Sequence, residues 1–396
     1  MRLLSALHRW AGGVLGLLLA LLALSGTLLV WEGEWIGLPG AAQPLAEDVA
    51  TIGAIADRAA AAGTLARITF ASDEIGLHQL SFTDGGGAYV AQDGRLVDGW
   101  TSPWQRPELW LFDLHHHLFA GAAGETVTGI AGIAGLLFVL TGLVLWWRSR
   151  RSFAPRVWPR RMAPGPIVSH HRDLGLLAAP LLLLSLATGT LMIFDPLRDL
   201  MVGTEVRPRA ALAAPVGGAS PSAMLAAAKA HFPDAGLRRL SIPADSGDPI
   251  LVRMRQSAEW TPNGRTQLAF DQRSGQLLWV EDARRANAAA WMAEKLYPLH
   301  AAKVGGLAMK LAMTTSGLAL FLLGGLATFS FWTRRAGKRR KRRPRGGGPK
   351  ATTAAAPCPP GRPPPNARSS DALPARGPRS TPEPTYGPGR WSCFGR

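Results

Sequence analysis

LHRWAGGVLGLLLALLALSGTLLVW, residues 7–31, holds a His-Arg pair and then no charge at all from Ala11 to Val30. A helix rising about 1.5 Å per residue crosses the ~30 Å hydrocarbon layer with such a run. Residues 170–194, HHRDLGLLAAPLLLLSLATGTLMIF, echo it without a gap. His8 matches His171, Gly12 matches Gly175, and Ser25-Gly26-Thr27 matches Thr188-Gly189-Thr190. Two more apolar runs, 126–147 and 304–332, end in Trp147 and Trp332 as membrane spans often do. The pattern predicts a membrane protein of four transmembrane α-helices, built as a tandem duplication of a two-span unit. A cleavable leader does not fit the first run, because it is long and Trp31, Glu32 and Trp35 stand where small residues should.

Charge orients the spans, since Lys and Arg near span ends stay in the cytoplasm. Residues 148–173 carry seven Arg against Asp173, and residues 333–396 carry 16 Lys or Arg against two acids. Residues 32–125 hold four basic and 13 acidic residues. The expected layout is an N-terminus and first span at 1–31, an outward domain at 32–125, a span at 126–147 and a basic cytoplasmic loop at 148–173. A span at 174–194, a second outward domain at 195–303, the last span at 304–332 and a basic Pro/Gly-rich disordered tail at 333–396 follow. Both termini are then cytoplasmic, in a bacterial inner membrane. The formal charge of +17 comes mostly from the tail. It predicts contact with an anionic bilayer surface and no nucleic acid, for no stacking or groove-reading motif accompanies it. Both cysteines, Cys358 and Cys393, lie in the tail, so the outward domains contain no disulfide.

Each outward segment has one order of elements, a small α+β domain. The first runs from a helix near Glu47 to Ala62 into LARITF, GLHQLSFT and GAYVAQDGRLVDGW. The second runs from PSAMLAAAKAHF into LRRLSIP, PILVRMRQ and RTQLAFDQRSGQLLWV. Asp-Gly and Ser-Gly in the last strand pairs suit hairpin turns. A Leu-His motif, LHHHLFAG from Leu114 and LHAAKVGG from Leu299, then leads into the next span.

Seven of nine histidines fall near span ends, in pairs. His8 and His171 start two parallel spans on one side, and the His115–His117 run and His300 precede the other two on the opposite side. Facing imidazoles can hold a haem iron from both sides, and two such sites would stack across the membrane. Arg9, Arg172 and Lys303 lie close enough in sequence to meet the propionates. Gly12 and Gly175, four residues after His8 and His171, leave space for a flat ring, although Gly12, Gly16 and Gly26 could equally serve close helix packing. Asp113 could orient an imidazole. His78 and His231 read as ordinary surface or partly buried residues. No hydrolase, kinase or zinc motif occurs, and the spans carry almost no ionisable group of the kind carriers use.

The motifs LHRWAGGVLG, LHHHLFAG leading into GLVLWW, HHRDLGLLAAP, FDQRSGQLL and YPLHAAKVGG make the chain resemble the PepSY-associated transmembrane helix family over roughly residues 1–335. That family includes iron-regulated inner-membrane proteins. The resemblance implies two PepSY-like outward domains and a dihaem reductase that frees iron from ferric siderophores or similar ferric chelates. It implies two haem b groups, one on His8 and His171, the other on His115 or His116 with His300. Spacing to Trp147 and Trp332 aligns His115 with His300, whereas spacing to Gly121 and Gly305 favours His116, which we take as the ligand. Some relatives carry a fused flavin reductase domain. This chain has a basic tail instead, so its electron donor is expected to be a separate cytoplasmic or membrane molecule. The competing expectation is a PepSY-type interaction protein or accessory subunit of iron uptake, without redox activity.

Overall fold

The computed structural model describes residues 1–214, 218–245 and 247–342; most of the basic tail, with both cysteines, lies outside the described residues. The helices are α1 (Arg2–Val30), α2 (Glu32–Trp35), α3 (Val49–Ala61), α4 (Pro107–His117), α5 (Gly121–Ser149) and α6 (Pro164–Ile193). They continue as α7 (Asp195–Val202), α8 (Pro221–His231), α9 (Ala288–Glu294), α10 (Leu296–His300) and α11 (Gly306–Arg342). Four of them, α1, α5, α6 and α11, are long and apolar enough to cross a membrane.

These four form a ring in which α1 packs on α11 and α5, and α6 packs on the same two. On α1 the large side chains Leu3, Leu7, Trp10, Val14, Leu17, Leu21, Leu24 and Leu28 recur every three or four residues and stay exposed. The opposite face is mostly small: Gly13, Gly16, Ala20, Ala23, Ser25 and Thr27 are buried there, with Leu19, Leu22 and Val30 among them. A helix that turns its bulk outward and its small residues inward is solvated by lipid, with backbone-close packing holding the bundle. At the α1–α11 crossing, a Cβ on Gly16 would lie 2.7 Å from the carbonyl oxygen of Gly324. Between α5 and α6, Gly129 faces Phe194 and Gly135 faces Leu186.

At one end of the bundle the described residues form nine strands: β1 (Leu65–Thr69), β2 (Leu77–Phe82), β3 (Gly87–Ala91), β4 (Leu96–Trp100), β5 (Arg209–Ala214), β6 (Gly236–Ser241), β7 (Ile250–Arg255), β8 (Thr266–Phe270) and β9 (Leu277–Glu281). All neighbours are antiparallel, in the order β4-β3-β2-β1-β6-β7-β8-β9-β5. The two outward segments therefore do not stand as two separate domains. They share one sheet through β1 and β6, where Ile68 faces Leu240. Main-chain pairing between segments so distant in sequence leaves no local mark, and β5, on the far edge, was likewise not expected from the sequence.

Strand alternation sends Ile68, Leu240, Val252, Leu268 and Val280 to one face, where α3 and α8 cover them with Ile52, Ile55, Met224 and Leu225. The two helices also join directly, with Asp57 Oδ1 accepting from the Ser222 N–H at 2.9 Å and Lys229 paired to Glu47 at 2.8 Å. His78, on β2, is not a surface residue: it is 2% exposed and lies edge-on to Phe70. Its Nδ1 accepts from the Ala71 N–H at 3.0 Å, so the neutral ring carries its proton on Nε2. His231 is exposed at the end of α8.

Burial pushes the His78 imidazole down to about 4 from its ordinary 6.5. Between those values the unfolded chain binds a proton that the folded protein refuses, so stability is full above pH 6.5 and falls as pH drops toward 4. The loss expected from this one group is about 3 kcal/mol. Thermal unfolding across this range, compared between the wild type and His78→Gln, should show a shallower pH slope in the variant; equal slopes would rule out His78 as the source.

Candidate functional site

The motif shared by α1 and α6 acquires a purpose once α4 and α10 are placed. His115 on α4 donates from Nδ1 to the carbonyl of Leu22 at 3.0 Å, with the Ser25 hydroxyl at 3.2 Å. His300 on α10 donates from Nδ1 to the carbonyl of Ser185 at 3.0 Å, with the Thr188 hydroxyl at 3.2 Å. The glycine after each hydroxyl makes room for the ring. A Cβ on Gly26 would lie 2.7 Å from His115 Cε1, and one on Gly189 would lie 2.8 Å from His300 Cε1. Ser-Gly and Thr-Gly are thus two copies of an imidazole cradle, and each half of the chain holds its own histidine.

The two cradled rings face each other with centroids 6.1 Å apart. Their Nδ1 atoms being engaged, each Nε2 is left without a partner among the described residues. Burial, then His300 and His116, push His115 down to about 3, and burial lowers His300 as well, against the pull of the Ser185 carbonyl. Neutral imidazoles with a fixed N–H and a free lone pair are the form that ligates iron.

His8 and His171 form the second pair, with centroids 6.2 Å apart. His8 donates from Nδ1 to Thr141 Oγ1 at 2.8 Å, while that hydroxyl gives its own proton to the Leu137 carbonyl. Leu326 occupies the position on α11 that corresponds to Thr141 on α5, and His171 Nδ1 is buried with no hydrogen-bond partner among the described residues. His170 turns away, its Nε2 bonding the Val157 carbonyl at 3.1 Å. Both pairs lie between the diagonal helices α1 and α6. His8 and the Leu22–Gly26 cradle are 14 to 18 residues apart on α1, which at 1.5 Å per residue separates the pairs by about 21–27 Å along the bundle.

Each pair has the separation an iron between two imidazoles requires. Metal–nitrogen bonds of about 2 Å on either side bring ring centroids to roughly 6 Å. A Cβ on Gly12 would meet nothing within 4 Å, and one on Gly175 would only graze Leu323, so space adjoins the His8–His171 pair. Gly16, by contrast, serves helix packing and Gly26 serves the cradle. Beside the other pair lies a cavity of about 240 Å³ walled by His115, His116, His300, Glu32, Tyr297 and Lys303; one water needs only about 10–15 Å³. The residues present therefore fit a haem at each pair. Among the described residues no three His, Cys, Asp or Glu side chains gather as a metal-ion site.

Several sequence expectations need correcting. His115, not His116, meets His300. Gly121 opens α5 with φ 54° and Gly306 opens α11 with φ 56°, so the equivalent glycine is Gly306 rather than Gly305, and the offset moves by one. His116 stacks on Phe112 at 4.3 Å and lines the cavity wall, and burial pushes it down to about 4. Asp113 does orient an imidazole, that of His117, at 2.9 Å and one helical turn on. Arg172 is committed to Asp173 and to the hydroxyl and carbonyl of Ser152. The fully buried Asp173 also takes Arg156, so Arg172 is held as part of an ion triad. Arg9 is exposed. Lys303 does reach the cavity wall, but it pairs with Glu74 at 2.8 Å. The hydroxyls of Ser25 and Thr188 were visible as a repeat, though not as cradles, because their partners come from another helix.

The family model described as PepSY-associated TM region matches residues 5–335 of the chain. No curated protein matches it.

Proposed function

Because the chain belongs to the PepSY-associated TM region family and is a multi-pass membrane protein, we propose that it carries electrons across the bilayer to a ferric chelate. In this reading two haem b groups are held, one by His8 and His171 and the other by His115 and His300. The termini lie in the cytoplasm of a bacterial inner membrane, and the sheet faces the periplasm. The single observation that carries the reading is the pair of imidazole gaps, 6.1 and 6.2 Å, between the same two helices.

When bound, the group supplies one-electron Fe(III)/Fe(II) chemistry. The chain's part is to fix and shelter it. Leu22 and Ser185 hold the two imidazoles nearest the sheet by their Nδ1 protons, which leaves the Nε2 lone pair of each ring unused among the described residues. Thr141 does the same for His8. Lys303, neutralised in part by Glu74, contributes a cation to the cavity wall. A separate cytoplasmic or membrane donor delivers the electrons, and the acceptor is Fe(III) in a siderophore or similar chelate, reduced to Fe(II) and released.

A reduced-minus-oxidised spectrum of the purified protein should show b-type haem at two per chain. His171→Ala should remove one, His300→Ala the other, and His116→Ala neither. Wild-type protein lacking haem from a haem-replete host would refute the proposal and leave an accessory or interaction role.

A further inference from the structure

The face of the sheet opposite α3 and α8 carries a run of arginines. In register across β6 and β7, Arg239 stands directly opposite Arg253, with Thr69 on β1 and Gln267 on β8 to either side. Like charges in direct cross-strand pairing destabilise a sheet. Arg265, just before β8, and Arg207 lie near enough to act on the same charges. All four are half-buried.

Their anionic neighbours are committed elsewhere. Glu259 accepts from the backbone N–H groups of Gln256, Arg265 and Thr266, and Glu294 accepts from that of Thr261. Glu205 is bridged to Arg198 and Arg207, and Glu281 to Arg209. Among the described residues no carboxylate pairs with the side chain of Arg239, Arg253 or Arg265. The Nε atoms of Arg239 and Arg265 are moreover buried with no acceptor among those residues. Burial, and then Arg239, Arg265 and Arg207, push Arg253 down to about 10. Glu281 offsets part of this at Arg253, as Glu205, Glu294 and Glu259 do at Arg265. A buried donor left unsatisfied and a repulsion only partly offset are both costs that a bound anion reduces.

We propose that Arg239, Arg253 and Arg265, with Arg207 at the margin, form a binding site for a small multivalent anion of the polycarboxylate class. Three guanidinium forks with no carboxylate bonded to them among the described residues match a ligand bearing several carboxylates, which guanidinium binds in bidentate fashion. Tyr297 links the two regions, for it lines the cavity with His300 and lies within electrostatic reach of Arg239. Resting on the function proposed above, the bound anion is the electron acceptor, a ferric polycarboxylate chelate rather than a neutral or cationic one.

Iron-free citrate separates this site from the redox reading. With full-length protein in phosphatidylcholine nanodiscs, citrate should raise the melting temperature, whereas acetate at equal ionic strength should not. Arg239→Gln combined with Arg253→Gln should weaken citrate binding about tenfold or more. The double variant should also melt higher than wild type without citrate, since the repulsion is gone, and Arg253→Lys should keep part of the binding. No citrate effect in wild type overturns the site. So does stabilisation by phosphatidylglycerol nanodiscs alone, which would assign the arginines to lipid headgroups. A protein that contains haem but ignores citrate sinks the site and spares the redox reading. One that binds citrate through these arginines but contains no haem does the reverse.

Discussion

On the function proposed above, valine in place of Gly26 is expected to cost one of the two proposed haem groups while leaving the other bound. A Cβ at that position falls 2.7 Å from His115 Cε1, well inside contact distance. The ring has no room to retreat within its cradle, because its Nδ1 is tied to the Leu22 carbonyl one turn earlier on the same helix. It must leave, and one axial ligand goes with it. Gly189→Val should give the same result through His300, whose Cε1 would meet the new Cβ at 2.8 Å. The measurement is the haem-to-protein ratio and the reduced spectrum, in which half the absorbance should be lost. Retention of both groups in either variant would mean that the cradles do not position ligands.

Leucine at position 16 should do the greatest damage to stability. The Gly16 Cβ vector ends 2.7 Å from both the Gly324 carbonyl oxygen and the Thr328 hydroxyl, and backbone cannot repack as a side chain does. Separating α1 from α11 forfeits dispersion contacts along the whole seam, for which the membrane offers no hydrophobic compensation. A loss of about 3 kcal/mol or more is expected. Leu17→Ala, on the neighbouring lipid-exposed stripe, should change stability by about 0.5 kcal/mol or less. Unfolding of both variants in detergent, followed by circular dichroism, tests the contrast; similar stabilities would show that the crossing tolerates bulk.

The apolar runs and paired histidines were legible because they depend on periodicity within one segment, or on a register that repeats. His171 could be preferred to His170 from sequence for that reason, and the structure brings it to His8. The triple histidine was harder. The spacing to Trp147 and Trp332 points to His115 and the glycine spacing to His116; the conflict hangs on whether Gly121 corresponds to Gly305 or Gly306, which the backbone conformation decides. The arginines of LRRLSIP and PILVRMRQ are visible in sequence, yet their opposition across β6 and β7 depends on strand register. Arg172 had the right position for a propionate but was claimed by Asp173, which the sequence presents merely as a lone acid in a basic loop.

The seam between β1 and β6 also sets a timetable for making the molecule. Strand β1 has one flank satisfied by β2, but its other flank waits for residues 236–241. About 170 residues of chain separate the two strands. At ~5–20 residues per second of synthesis, that edge stays open for roughly 10–30 s. An unpaired edge of that age invites pairing with a neighbouring nascent chain. The second half of the polypeptide therefore acts as a late-arriving intramolecular chaperone for the first, and truncation before β6 should yield aggregates rather than a half-sized protein.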